Sequence, residues 1–241
     1  MSQTISNNNV ERDRVSTTRS ISSILPENII LIDKPKGITS FDVIRTLRRK
    51  MNIRKMGHAG TLDPLATGLM IIGINEGTKK LGDYLKLPKT YDAEILFGIK
   101  TDTGDVDGKI IEEKNISPFK KETIEETLAQ IIGKRKIRAP IYSALKVAGK
   151  PLYKYARAGN TSVVAPEKEM EVRAIEFLGE RYEEQHQIIS TRIDVSSGTY
   201  IRSIAEEIGR LLGVPATIKN LRRIRIGDFT ITEAEKIDTR N

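Results

Sequence analysis

Gly57-His58-Ala59-Gly60-Thr61-Leu62-Asp63-Pro64-Leu65-Ala66-Thr67-Gly68 runs directly into Leu69-Met70-Ile71-Ile72-Gly73-Ile74. The second half is a short β-branched apolar run, which reads as a buried strand. The first half sets a single carboxylate among glycines, which let the chain turn sharply and let a ligand come close to the backbone. Pro64 pushes Asp63 out of the helical region, so the carboxylate is presented in extended or turn geometry. An isolated Asp-Pro ordinarily marks no more than an Asx-type turn. Here it shares a loop with His58, one of only 2 histidines in the chain.

Working outward, Ile29-Ile30-Leu31-Ile32 reads as a strand that turns at Asp33-Lys34-Pro35-Lys36-Gly37. Thr39 or Ser40 caps a helix whose apolar face is expected to be Phe41, Ile44, Leu47 and Met51. Six basic residues among the eleven positions 45–55 lead into the Asp63 loop, a candidate phosphate contact or simply a solvated face. A short helix follows at Gly77–Leu85, then a strand at Lys89–Phe97 with Ala93, Ile95 and Phe97 on one face. Thr101–Gly108 mimics a calcium loop, but Lys114 stands where the bidentate glutamate belongs, so it reads as a polar hairpin connection. Further on come a helix at Phe119–Ile132, a basic run at 134–138 and a short helix from Pro151 to Gly159. Strands are expected at Met170–Phe177 and Gln187–Val195, with His186 exposed and assigned no role. A helix on Ile201, Ile204, Ala205 and Ile208 ends at Gly213, and a third basic segment occupies 219–225. Hairpin-linked strands mixed irregularly with helices give an α+β class with a mixed, mostly antiparallel sheet flanked by helices.

The 241-residue chain carries a net charge of +8, which favours a polyanionic partner, nucleic acid before membrane surface. No apolar run is long enough to span a bilayer. With no cysteine there is no disulfide framework, thiolate metal site or cysteine nucleophile, and the composition fits a reducing, cytoplasmic setting. His58 and His186 are far apart, so no metal site is expected. Phosphate-loop, dinucleotide-binding and serine-elbow motifs are all missing, so nothing calls for a cofactor. Only Asp63 among the carboxylates lies in a strongly shaped loop, which disfavours a two-carboxylate glycosidase.

From about Asn28 to Thr230 the chain resembles the TruB family of tRNA pseudouridine synthases. The likeness rests on the Asp63 loop, on Asp33-Lys34-Pro35-Lys36-Gly37-Ile38-Thr39-Ser40, on Lys89-Thr90-Tyr91-Asp92-Ala93, on Gly198-Thr199-Tyr200-Ile201-Arg202-Ser203 and on Leu221 before Arg222-Arg223. Four motifs in the family's order and comparable spacing are hard to obtain by chance. The resemblance implies isomerisation of uridine to pseudouridine in the T-loop of tRNA, at the position conventionally numbered 55. It makes Asp63 the catalytic carboxylate, with Arg202 pairing with it and keeping it ionised, and Tyr91 stacking on the extruded uracil. Tyr200 and Leu221 become pocket walls. His58 holds the T-loop open, and Lys34, with Lys36, supports the loop or touches phosphate.

Residues 1–27 are expected to be a disordered tail, 28–231 the catalytic domain and 232–241 a short tail without the PUA-like RNA-binding domain usual in bacterial members. The partner implied is the tRNA T-arm, with no guide RNA and a monomeric enzyme. Two other readings stay open at this point. One is an RNA-guided synthase of the Cbf5/dyskerin type. The other is a tRNA-folding chaperone in which binding, not isomerisation, is the main role.

Overall fold

The computed structural model describes Leu25, residues 27–160 and residues 163–238. Apart from Leu25 and Glu27, the stretch expected as a disordered tail lies outside the described residues. In chain order the elements are β1 (Ile29–Lys34), α1 (Ser40–Met51), β2 (Met56–His58), β3 (Thr67–Ile74), a 3-10 turn (Asn75–Lys80), α2 (Leu81–Lys86), β4 (Lys89–Phe97), β5 (Ile99–Thr101), β6 (Ile110–Glu113), α3 (Lys121–Ile131), β7 (Gly133–Arg138), β8 (Lys146–Val147), β9 (Lys150–Pro151), α4 (Leu152–Arg157), β10 (Glu167–Glu183), β11 (His186–Val195), α5 (Ile201–Leu212), β12 (Ala216–Ile226), β13 (Phe229–Thr230) and β14 (Glu235–Lys236). A 10-stranded sheet runs β14-β1-β3-β12-β4-β11-β10-β7, with β2 added to β3 and β13 to β12. Its parallel pairs among the described residues are β1 with β14 and β3 with β12. The remaining pairs are antiparallel, so the sheet is mixed and mostly antiparallel, as the pattern predicts.

The unbroken apolar runs of β1 and β3 are explained by burial on both faces. Ile30, Ile32, Met70 and Ile72 enter the main core, while Ile29, Leu31, Leu69 and Ile71 build a smaller one behind the sheet. Strands β4 and β11 instead alternate. Ala93, Ile95, Phe97, Ile189, Ile193 and Val195 face the core, and Asp92 and Glu94 turn outward to Arg192 at 2.7 Å and Arg181 at 3.0 Å. Helices α3 and α5 bring Ile124, Leu128, Ile131, Ile201, Ile204, Ala205 and Ile208 to the same core.

Two expectations are corrected, at Phe41 and at His186. Phe41 is not on the buried face of α1. It is 55% exposed, and Val43, Ile44 and Leu47 point inward instead. The reason lies at the cap: Thr39 and Asp42 close a capping box, and Ser40 is turned into the Asp63 loop, so the next residue faces out. His186 is buried, at 8% exposure. Its Nδ1 lies 3.3 Å from the Phe97 carbonyl and its Nε2 3.8 Å from Glu113 on β6, because the β5–β6 hairpin folds over the start of β11. The 134–138 run is an edge strand paired to β10. Glu235 and Lys236 pair with β1 at the other edge.

Candidate active site

The Asp63 loop connects β2 to β3 and is fastened from three sides. From β1, the Lys34 ammonium is fully buried and donates to the carbonyls of Pro35 at 2.9 Å, Ala66 at 2.7 Å and Pro64 at 3.3 Å. From α1, the Ser40 hydroxyl accepts from Leu62 N–H at 2.8 Å and donates to Leu62 C=O at 3.0 Å. From β12, Arg223, only 1% exposed, donates through Nε to Leu69 C=O at 2.7 Å and through Nη2 to Gly60 C=O at 3.2 Å. The turn closes on itself through Ala66 N–H to Asp63 C=O at 3.1 Å, with Pro64 in the second position where its fixed φ is preorganised. A loop bound this way holds its carboxylate in one place, as a reacting group requires.

Arg202, in the first turn of α5, meets Asp63 from the other side. Its Nη2 is 3.0 Å from Asp63 Oδ2, and the guanidinium is itself aimed by the carbonyls of Thr103 at 2.6 Å and Tyr142 at 2.9 Å. Asp63, Tyr91, Tyr200, Arg202 and Leu221 line one cleft of about 70 Å³, completed by Thr61, Leu62, Ala66, Thr199 and Ile201. A larger groove of about 340 Å³ adjoins it and shares Leu221 as a wall. Tyr91 comes from β4 and Leu221 from β12, neighbouring strands of the sheet. Tyr200 sits at the head of α5 with the Lys168 ammonium 5.6 Å above its ring.

Of the residues singled out from sequence, five therefore converge. His58 does not line the cleft. It lies on β2 opposite Ile72, and its imidazole is held below its usual pKa by burial, with the Arg223 charge adding to the effect. Lys34 lies behind the loop as a brace, and its ammonium is pulled down to about 8 by burial, against the Asp63 charge. Arg223 belongs to the basic segment 219–225 and is an internal strut. Its signal was available: Leu221 and Arg223 are two apart in a strand and share a face. Ser40, Thr103 and Tyr142 were not identified, since two of them act through backbone carbonyls that carry no sequence signature.

Burial and charge oppose each other at Asp63. Burial raises the Asp63 pKa above the ordinary aspartate value, and the Arg202 and Lys34 charges only partly oppose it, with Asp105 adding to the rise. Arg202 is thus the main charge that favours the ionised form of this desolvated carboxylate. The side chain remains 39% accessible through the cleft mouth. A carboxylate that is desolvated, fixed and reachable can serve as nucleophile or base toward a planar group held between Tyr91 and Leu221.

A family model described as TruB family pseudouridylate synthase, N-terminal domain, matches residues 48–201. The chain is 44% identical over 201 residues to the tRNA pseudouridine synthase B of Xanthomonas oryzae pv. oryzae, an alignment covering 83% of this chain and 64% of that one. It is 42% identical over 213 residues to the protein of the same name from Lactobacillus acidophilus, covering 87% of this chain and 71% of that one. Among solved structures it is similar to a chain of a Cbf5-Nop10-Gar1 complex, with 27% identity, TM-score 0.66, and coverage of 87% of this chain and 52% of that one. It is also similar to a chain of an H/ACA RNP bound to a substrate RNA containing 2'-deoxyuridine, with 25% identity, TM-score 0.62, and coverage of 86% and 50%.

Proposed function

The chain belongs to the TruB family of pseudouridylate synthases, and from that premise we propose that it isomerises uridine to pseudouridine in the T-loop of tRNA, at position 55, with Asp63 as the catalytic carboxylate. The observation that carries this reading is the Asp63–Arg202 pair at 3.0 Å, set in a cleft walled by Tyr91, Tyr200 and Leu221. The reaction breaks the bond from uracil N1 to the ribose C1' and makes one from C5 to C1'. The proton leaving C5 is matched by one gained at N1, so no redox equivalent or energy-rich cofactor is consumed. Such chemistry needs a carboxylate to attack or to take a proton, and a pocket that retains the detached base while it turns. Base flipping brings the uridine to the cleft, where Tyr91 offers its face for stacking. The setting proposed is the cytoplasm, in keeping with a chain that has no cysteine; among the described residues no helix is long and apolar enough to cross a membrane.

Action on free tRNA, without a guide and as a monomer, is favoured over the RNA-guided reading by similarity. Identity to the tRNA synthases is 42–44%, against 25–27% to the chains from the H/ACA RNP and Cbf5-Nop10-Gar1 complexes. The test uses an unmodified tRNA transcript, a T-arm minihelix, and purified wild-type and Asp63→Asn protein with nothing else added. Pseudouridine is mapped by site-resolved chemical labelling. Product at the T-loop uridine with wild type alone is expected. Tight binding by both proteins without product would overturn the catalytic reading and leave an RNA-folding chaperone.

A further inference from the structure

Phe41 is a large apolar side chain left 55% exposed on the first turn of α1. Two guanidiniums stand over its ring, Arg45 at 5.8 Å and Arg48 at 5.9 Å from the centroid. The spacing of four and then three residues puts all three on one helix face. Arg45 also pairs with Asp42, and Arg48 Nη2 donates to the Met56 carbonyl at 3.1 Å. The start of α1 is tied to the Asp63 loop, since Ser40 is hydrogen bonded through its hydroxyl to Leu62, next to Asp63, and Phe41 follows Ser40 on the outer side of the helix. An exposed ring flanked by cations is poorly suited to water and well suited to a nucleotide, whose base stacks on the ring while its phosphate is neutralised beside it.

We infer that the Phe41–Arg45–Arg48 face of α1 receives an unstacked nucleotide of the substrate RNA adjacent to the uridine that enters the Asp63 cleft, the base on the Phe41 ring and the phosphate between the two guanidiniums. The inference rests on the proposed action on RNA and adds a second contact point to it. A second point of attachment one nucleotide away fixes the direction in which the strand crosses the cleft. It thereby selects which uridine of a loop is placed on Asp63. Arg48 and Arg45 supply the two positive charges beside the Phe41 ring.

The test places 5-iodouridine at each position flanking the target uridine in an RNA T-arm and irradiates its complexes with Asp63→Asn protein. Crosslinks are located by peptide mass spectrometry. A crosslink to Phe41 from one flanking position is expected, lost in the Asp63→Asn/Phe41→Ala protein and retained with Phe41→Trp. In an otherwise wild-type protein, Phe41→Ala is expected to raise KM about tenfold with kcat nearly unchanged, and Phe41→Trp to restore it. Arg48→Gln is expected to lower the magnitude of the salt-dependence slope of binding by about 0.7. Absence of any Phe41 crosslink, together with a Phe41→Ala KM within twofold of wild type, would overturn the inference while product formation by wild type leaves the isomerase reading standing. If wild type makes no product at all, that reading fails separately, and the crosslink still decides whether this face holds RNA.

Discussion

Arg202 Nη2 lies 3.0 Å from Asp63 Oδ2 while the same guanidinium donates to the Thr103 and Tyr142 carbonyls at 2.6 and 2.9 Å. The arginine is thus fixed by groups other than its counter-ion, and the carboxylate is positioned against a rigid partner. Replacing Arg202 by Gln removes both the orienting donor and the charge that lowers the Asp63 pKa. The expected result is a loss in kcat of about 100-fold or more at neutral pH, in line with losing one side of a desolvated charged pair. Part of that loss is recovered on raising the pH, because the acid limb of the profile moves upward. Arg202→Lys retains the charge without the two-pronged geometry and falls between the two. A profile that loses height without moving along the pH axis would show that Arg202 acts on geometry alone.

The pH profile of wild type follows from burial at Asp63. In the proposed reaction the working form is the carboxylate, and its pKa is raised from the ordinary value. Activity is therefore expected to fall as pH drops, with a midpoint above that of an ordinary aspartate near 3.8. The stability sign is opposite. A carboxyl whose pKa is raised on folding binds its proton more tightly in the native state, so protonating Asp63 favours the fold. Loss of activity in acid at this site should thus precede any loss of near-UV circular dichroism. Coincident transitions would contradict the assignment.

Much of this arrangement was legible in the chain itself. The continuous apolar runs of β1 and β3 and the alternation of β4 and β11 are direct imprints of two-face and one-face burial. The residues that line the cleft were reachable through their motifs. What was hidden depends on tertiary partners. Phe41 is apolar and sits at helical spacing, and only the inward turn of Ser40 puts it outside. His186 lies among charged residues and is buried because a hairpin from elsewhere closes over it. Arg223 alternates with Leu221, a hint that it turns inward, but its acceptors at Leu69 and Gly60 come into view only with β12 set between β3 and β4.

Lys34 and Lys89 are buried ammonium groups held chiefly by backbone carbonyls, Lys34 by Pro35, Pro64 and Ala66 and Lys89 by Leu85 and Leu87. Burial lowers each from 10.5 to about 8. Between those values the unfolded chain holds more protons than the native one, so each lysine makes stability increase with pH. The gain is complete above 10.5 and is lost as pH falls through about 8. Subtracting the unfolding free energy of Lys89→Met from that of wild type, by urea titration across this window, isolates one group. The difference is expected to climb with a slope approaching about 1.4 kcal/mol per pH unit. Parallel curves would show that Lys89 keeps an ordinary affinity for its proton.

Gly68 closes the Asp63 loop where β3 meets β12, and the two strands come so near there that a side chain has no room. Its φ is +106°, and a Cβ would stand 2.2 Å from the Arg223 carbonyl oxygen and 2.8 Å from the Arg223 nitrogen. The obstacle is backbone in a paired strand, so it cannot swing aside as a side-chain tip could. Gly68→Ala is expected to destabilise the protein by about 3 kcal/mol or more, combining strain at positive φ with a clash. Gly37 separates the two effects. It has φ +87° but nothing within 4 Å of its Cβ position, so Gly37→Ala should lose only about 1 kcal/mol. Urea denaturation of the three proteins measures the gap. Equal losses for the two variants would mean that β3 and β12 can part at Gly68, and that the anchoring of the Asp63 loop through Arg223 is looser than its hydrogen bonds to Gly60 and Leu69 imply.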